Sequence, residues 1–251
     1  METSIPKIST VLKTLLRADF TTQWRNRRAV VLTLIVPVVI LALWKVFVEK
    51  MGGPFVLSNS ITIGLVATGL MGYSNSIARD RDKGIFQRLR VAPLPSWTIM
   101  GSRIIVQIVM ILLITTFVFI IGKQYDGITL TPLAYVLTYF TALVGGIVYL
   151  SIGQMIVGRI QNPETVNSAS RFIYFIFIMS GMLGEMYINE VGKTIHDIIV
   201  WSPYGTVKTI LAAGMEPAKW NNNASMALLA TLGYTVVCTT LGIKWFKWNT
   251  K

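Results

Sequence analysis

The sequence predicts an all-α polytopic membrane protein with six transmembrane helices, an N-terminal interfacial amphipathic helix, a short helix after span two and a broken, re-entrant fifth span. Three observations lead there. Of 251 residues, 53% are hydrophobic and only 14% are charged, with a mean hydropathy of +0.60, far from the roughly 25% charge of soluble domains. Four uncharged apolar stretches exceed the ~18 residues that separate a spanning helix from a core helix. The net charge of +12 gathers on one side of the spans. A water-soluble enzyme is excluded by the first observation. At ~20 residues per crossing plus loops, no length remains for a separate globular domain, so residues 1–251 read as one membrane unit.

Residues 1–28 come first. Ile5, Ile8, Val11, Leu12, Leu15, Leu16 and Phe20 share one arc at helical spacing, with Lys7, Thr10, Lys13, Thr14 and Arg17 opposite, the pattern of an interfacial helix. Asp19 falls inside the apolar arc, so the helix is expected to end or turn there. The helix either anchors the chain to the membrane or also touches a partner.

Span one is expected over 29–48, from the uncharged run Ala29 to Trp44 continued by Val46 to Val48. Arg25, Arg27 and Arg28 precede it, but the apolar run starts late and no small-x-small cleavage site follows, which marks a retained helix rather than a signal peptide. Pro37 is a kink that a membrane helix tolerates. Uncharged runs place span two at 56–78, span three at 100–122 and span four at 132–158, the last opening on Pro132, a favoured first helical residue. In span two, Ser60, Gly64, Thr68, Gly72 and Ser76 recur every four residues and let another helix approach closely, inside the subunit or across a dimer seam.

The fifth apolar run, Phe172 to Gly184, has 13 residues and reaches only ~20 Å of a core ~30 Å thick. Span five, 171–186, is therefore expected to be broken. Ile188, Val191, Ile195, Ile198 and Ile199 then recur at helical spacing among Glu190, Lys193 and Asp197, which predicts an external re-entrant segment over 187–212. On this reading Gly181, Gly184, Glu185, Pro203 and Tyr204 border a shielded cavity, since irregular backbone at membrane depth needs protein or water around it. The alternative is an ordinary external loop. Span six, 223–243, ends in the anchor Lys244, Trp245, Phe246, Lys247 and Trp248.

Six spans put both termini on one side. That side carries seventeen Lys and Arg against five Asp and Glu, whereas the other carries six of each. The positive-inside rule makes the basic side the cytoplasm, and the charge needs no nucleic acid to explain it. Five full spans hold no ionisable group at depth, which excludes the proton and sodium relays of many antiporters; Lys45 and Glu185 lie near span ends, where side chains snorkel. His196 is the single histidine and Cys238 the single cysteine, so neither a metal cluster nor a disulfide is expected, and no catalytic residues are assigned. No G-x-x-x-x-G-K-[ST] loop occurs, so ATP energy would have to arrive from another polypeptide. The segment 79–98 suits that role: Ile85, Phe86 and Leu89 with Arg81, Lys83, Gln87, Arg88 and Arg90 make two turns of amphipathic helix, halted by Pro93 and Pro95. The other reading is a basic loop that only enforces topology.

At these residues the chain resembles the ABC-2 family of ATP-binding-cassette transporter permeases. The resemblance rests on Arg81-Asp82-Lys83-Gly84, Leu89-Arg90 and Pro93-Leu94 after span two, on Asn162-Pro163-Glu164-Thr165-Val166-Asn167 before span five, and on Ser180-Gly181 and Ser202-Pro203-Tyr204, in that order. Gly84-Ile85-Phe86-Gln87 and the proline-free Met182-Leu183-Gly184-Glu185-Met186 depart from the family's usual runs. The resemblance implies a non-catalytic permease subunit in the plasma membrane that pairs with a second permease, identical or not, and docks a cytoplasmic ATPase. ATP and Mg would sit on that partner, with no cofactor on this chain. Coupling would fall to Arg81, Lys83, Gly84, Ile85, Phe86, Arg88, Leu89 and Arg90. Spans two and five would line the pathway, making Asn59, Thr62, Asn75, Phe172, Phe175, Phe177 and Met179 candidates for contact with a drug, antimicrobial or lipid-like cargo. A passive channel or membrane scaffold is the competing function.

Overall fold

The computed structural model describes residues 8–90, 96–186 and 193–247, except for the side chains of residues 28, 29, 32, 90, 96, 182–186 and 193. Every element among them is helical. Four helices are long and apolar enough to cross a membrane: Gly53–Asp82, Trp97–Asp126, Pro132–Arg159 and Asn222–Trp245.

Helix α1, Ile8–Arg25, runs through Asp19 without the expected turn. Asn26 separates it from α2, Arg27–Leu43, which contains Pro37. The expected span at 29–48 is divided at Trp44, and α3, Lys45–Met51, continues beyond. The bend is held by aromatic packing, with Trp44 stacked on Phe55 at 5.6 Å and tilted against Phe47 at 5.3 Å.

The second span is longer than its apolar run. It comprises α4, Gly53–Val66, a π-helical stretch Ala67–Ser74 and α5, Asn75–Asp82. This helix is central, and nearly all of it from Val56 to Ala78 is buried. After it come α6, Ile85–Arg90, α7, Ser96–Asp126, and α8, Pro132–Arg159.

The fifth helix corrects the sequence expectation. α9 is a continuous helix over Pro163–Met186, 24 residues that at 1.5 Å each reach ~36 Å. It starts eight residues before the position expected for span five because Asn162 caps it. The Asn162 Oδ1 accepts hydrogen bonds from the Glu164 and Thr165 amides at 2.8 and 3.1 Å, and Pro163 fills a position where an amide would have no partner. The same device opens α8, where Thr131 caps and Pro132 follows, and α11, Pro203–Met215, where Ser202 caps and Pro203 follows.

Of the segment expected to be re-entrant, 187–192 lie outside the described residues. α10, Lys193–Trp201, is amphipathic and partly exposed, whereas α11 sinks into the protein against α4, α8 and α12, Asn222–Trp245. α10 and α11 meet closely at Gly205, whose Cβ would lie 2.3 Å from the Ile199 carbonyl oxygen. α8 is the other centre of packing, touching α12, α11, α7 and the π-helical stretch. At its closest point, a Cβ on Gly69 would lie 2.4 Å from the Tyr149 carbonyl, and one on Gly153 would lie 2.5 Å from the Gly69 oxygen. Two backbones touch there, which only small residues allow.

Candidate functional site

The helix after span two is where the sequence places contact with an energy source. Gly84, at φ +66, turns the chain from α5 into α6, in a region that side chains other than glycine's rarely adopt. Arg81 is 2% exposed, and its guanidinium is engaged on three sides. It donates to the carbonyls of Val157 at 2.7 Å, Ile160 at 2.6 Å and Gln161 at 3.0 Å. These lie at the end of α8, where carbonyls have no intrahelical partner and a cation is favoured. Phe86 is fully buried, its ring 5.1 Å from the Arg103 guanidinium and edge-on to Phe246 at 6.2 Å. Arg81 and Phe86, expected among the coupling residues, therefore face inward and hold the helix in place.

Lys83, Gln87 and Arg88 are exposed, and Ile85 and Leu89 are half-buried. Arg88 folds back to donate to the Lys83 carbonyl at 2.9 Å. The Arg90 side chain, Pro93 and Pro95 lie outside the described residues.

Beneath this helix, Arg103 of α7 joins three elements. Its guanidinium lies 2.5 Å from Asp80 of α5 and 3.8 Å from Asp19 of α1, and it donates to the Ser76 hydroxyl at 3.4 Å. The Ser102 hydroxyl donates to Asp19 at 2.5 Å. Asp19 can thus occupy the apolar arc of α1 because its polar partners come from α7. Burial raises its pKa above the usual carboxylate value, while Arg103 and the Ser102 hydrogen bond pull it back down. A cavity of about 260 Å³ opens beside this cluster, with Arg25, Arg79 and Lys83 in its walls.

A larger cavity, about 730 Å³, lies between α2, the inner half of span two and α9. Of the seven residues expected to contact cargo, Asn75 lines it. Its amide donates to the Met71 carbonyl at 3.1 Å and to Asn167 Oδ1 at 3.4 Å. Asn59 and Thr62 are fully buried within the subunit, Asn59 donating to the Phe55 carbonyl and Thr62 to the Ser58 carbonyl. Phe172 and Phe175 point outward, 65% and 59% exposed. Phe177 turns inward, edge-on to Tyr149 at 6.1 Å, and Met179 is half-buried away from the cavity. Met71, Arg79, Glu164, Asn167, Arg171 and Tyr174 line the space instead. Spacing of four in span two, 71, 75 and 79, and of three or four in α9, 164, 167, 171 and 174, was the signal available for them.

The residues expected at the outer gate pack closely around Tyr204. Tyr204 is buried and donates to Asn59 Oδ1 at 3.0 Å, and Tyr149 donates to the Pro203 carbonyl at 3.1 Å. A Cβ on Gly181 would lie 2.1 Å from the Tyr204 ring, so α9 presses directly on it. The surroundings of Gly184 and the side chain of Glu185 lie outside the described residues. In the four-residue stripe, Gly64 meets Ile114 and Pro37, Gly72 approaches Gln107 and Ser76 receives Arg103, contacts within the subunit. Thr68 donates to the Gly64 carbonyl, and the Ser60 hydroxyl is buried without a partner. Among the described residues, no three His, Cys, Asp or Glu side chains gather as a metal site would need.

The sequence model of the family described as ABC-2 type transporter matches residues 10–185. A Bacillus subtilis (strain 168) protein named "Putative transport permease YvfS" is 23% identical over 169 residues, covering 66% of this chain and 68% of that protein. The matched region takes in α1, the Arg103 cluster, the helix after span two and both cavities.

Proposed function

We propose that this chain, which belongs to the ABC-2 type transporter family, is the permease subunit of an ATP-driven exporter, with six crossings and both termini in the cytoplasm. α2 and α9 supply the two crossings beyond the four long apolar helices. Two such subunits enclose the pathway, and each docks a separate ATPase that holds ATP and Mg. The cargo is hydrophobic or amphipathic, a drug, an antimicrobial or a lipid-like molecule.

The observation that carries this reading is the helix Ile85–Arg90. It is fixed from below by Arg81 and Phe86, while Lys83, Gln87 and Arg88 face outward. A push on its outer face reaches span two directly through α5, and reaches α1 and α7 through Asp80 and Arg103. A channel has no use for such a part.

The test is co-purification with the candidate ATPase in lipid nanodiscs, wild type against Arg88→Glu. Arg88 is exposed, so reversing its charge spares the fold. Retention of the ATPase by wild type and its loss in the variant is the expected result. Equal retention and equal ATP turnover in both would sink the coupling role.

A further inference from the structure

The larger cavity has a chemical character that the composition of the spans does not show. It shares Asn26 and Arg79 with the smaller polar cavity, so the two form neighbouring chambers. Arg79 of span two and Arg171 of α9 both line it, against one acid, Glu164. In the smaller chamber Asp19 and Asp80 are already engaged by Arg103 and Ser102, while Arg25 and Lys83 form no ion pair among the described residues. The walls thus carry uncompensated positive charge.

Side chains on a helix lean toward its N-terminus. Span two and α9 run in opposite directions, so Arg79 leans toward Asn75 and Arg171 toward Asn167. Both lean toward the level where those two asparagines meet at 3.4 Å. At that level Asn75 Oδ1 is buried and unpartnered. The amides at the start of α9 are not the attraction, because Asn162 already occupies two of them. Beyond this polar level the lining turns apolar, with Met71, Ala67 and Val36.

We infer that this cavity takes a single-chain amphipath with an anionic headgroup, its head between Arg79 and Arg171 and its chain along Met71, Ala67 and Val36. The inference rests on the exporter reading only for calling that amphipath cargo. Guanidinium groups suit phosphate and carboxylate geometry by paired donors.

The experiment uses the full chain in phosphatidylcholine nanodiscs and a dodecyl phosphate with a diazirine in its tail. Its trimethylammonium counterpart serves as the matched cation, and labelled residues are mapped by mass spectrometry. The phosphate probe should label Met71, Val36 or Tyr174, about tenfold more than the cation does. Arg79→Gln with Arg171→Gln should cut that labelling about tenfold, Glu164→Gln should raise it, and Arg171→Lys should largely retain it. Each variant is accepted only if Cys238 stays as shielded from thiol reagents as in wild type.

Equal labelling by the cation, no labelling at these residues, or labelling unchanged in the double variant would overturn the inference. So would inorganic phosphate competing as well as unlabelled dodecyl phosphate, since the site would then hold a free anion. Selective labelling without ATPase association would instead overturn the exporter reading and leave this one standing.

Discussion

Replacing Arg81 by Met tests the anchor of α6, because Met keeps the length and the apolar stem while removing the guanidinium. Three hydrogen bonds from a charged donor disappear, each worth about 1.5–3 kcal/mol. The variant also no longer buries a charge, which offsets several kcal/mol of that loss. The net cost is about 3 kcal/mol, or roughly 150-fold in a local opening equilibrium. The loss should be local, since the bonded carbonyls all lie in the last turn of α8 or in its connection to α9. Hydrogen exchange in nanodiscs should therefore accelerate by one to two orders of magnitude over residues 158–166. The start of α8, where the Ala134 amide is capped by Thr131, should stay as protected as in wild type. Arg81→Lys, with its charge but without the planar fork, should fall between. Unchanged exchange over 158–166, or an equal rise at both ends of α8, would refute the anchoring role.

Gly69→Ala should lower the temperature at which Cys238 becomes reactive by many degrees, since a Cβ there meets the Tyr149 backbone at 2.4 Å, whereas Gly233→Ala, with nothing within 4 Å, should be silent or gain up to about 1 kcal/mol. Tyr204→Phe should cost about 1–2 kcal/mol in the same thiol-unmasking assay, because the buried Asn59 Oδ1 loses its donor. The pH dependence of Asp19 has a definite sign. Its folded pKa is raised above the ordinary 3.8, so the folded state binds more protons, and stability falls as pH rises above about 4 until the folded pKa is passed. Asp19→Asn should remove that fall, and a melting profile that is equally steep from pH 4 to pH 7 in both proteins would contradict it.

Much of this architecture was written in simple patterns. Charge-free runs marked spans two, three, four and six, because lipid-facing and core-facing positions in a membrane helix are both apolar. The spacing of Ile85, Phe86 and Leu89 marked α6 and its inner face. The fifth helix was misread because its inner turns carry Asn167, Ser168, Ser170 and Arg171, which end an apolar count while favouring a cavity wall. Its true start was signalled by Asn162-Pro163-Glu164, a cap, a proline and an acid in the order a helix N-terminus prefers. Asp19 was visible as a discordant residue, but its reason was not, since Ser102 and Arg103 lie more than eighty positions away. For the same reason Arg81 and Phe86 looked like contact residues: amphipathic spacing shows that a side chain has a face, not which neighbour covers it. Asn59 and Thr62 were expected on the pathway because the resemblance puts span two there, yet each donates to a backbone carbonyl of its own helix.

The π-helical stretch Ala67–Ser74 has a mechanical consequence. In an α-helix, residues four apart drift by roughly 40° around the axis, so a four-residue stripe winds away from a straight neighbour. The looser turns from Ala67 to Ser74 drift the other way and cancel the winding. Gly64, Gly72 and Ser76 can therefore all meet α7, at Ile114, Gln107 and Arg103. The two helices keep one register along this stripe, like a rack whose teeth stay in line from Gly64 to Ser76. A rotation of α7 would therefore be felt at Gly64, Gly72 and Ser76 alike.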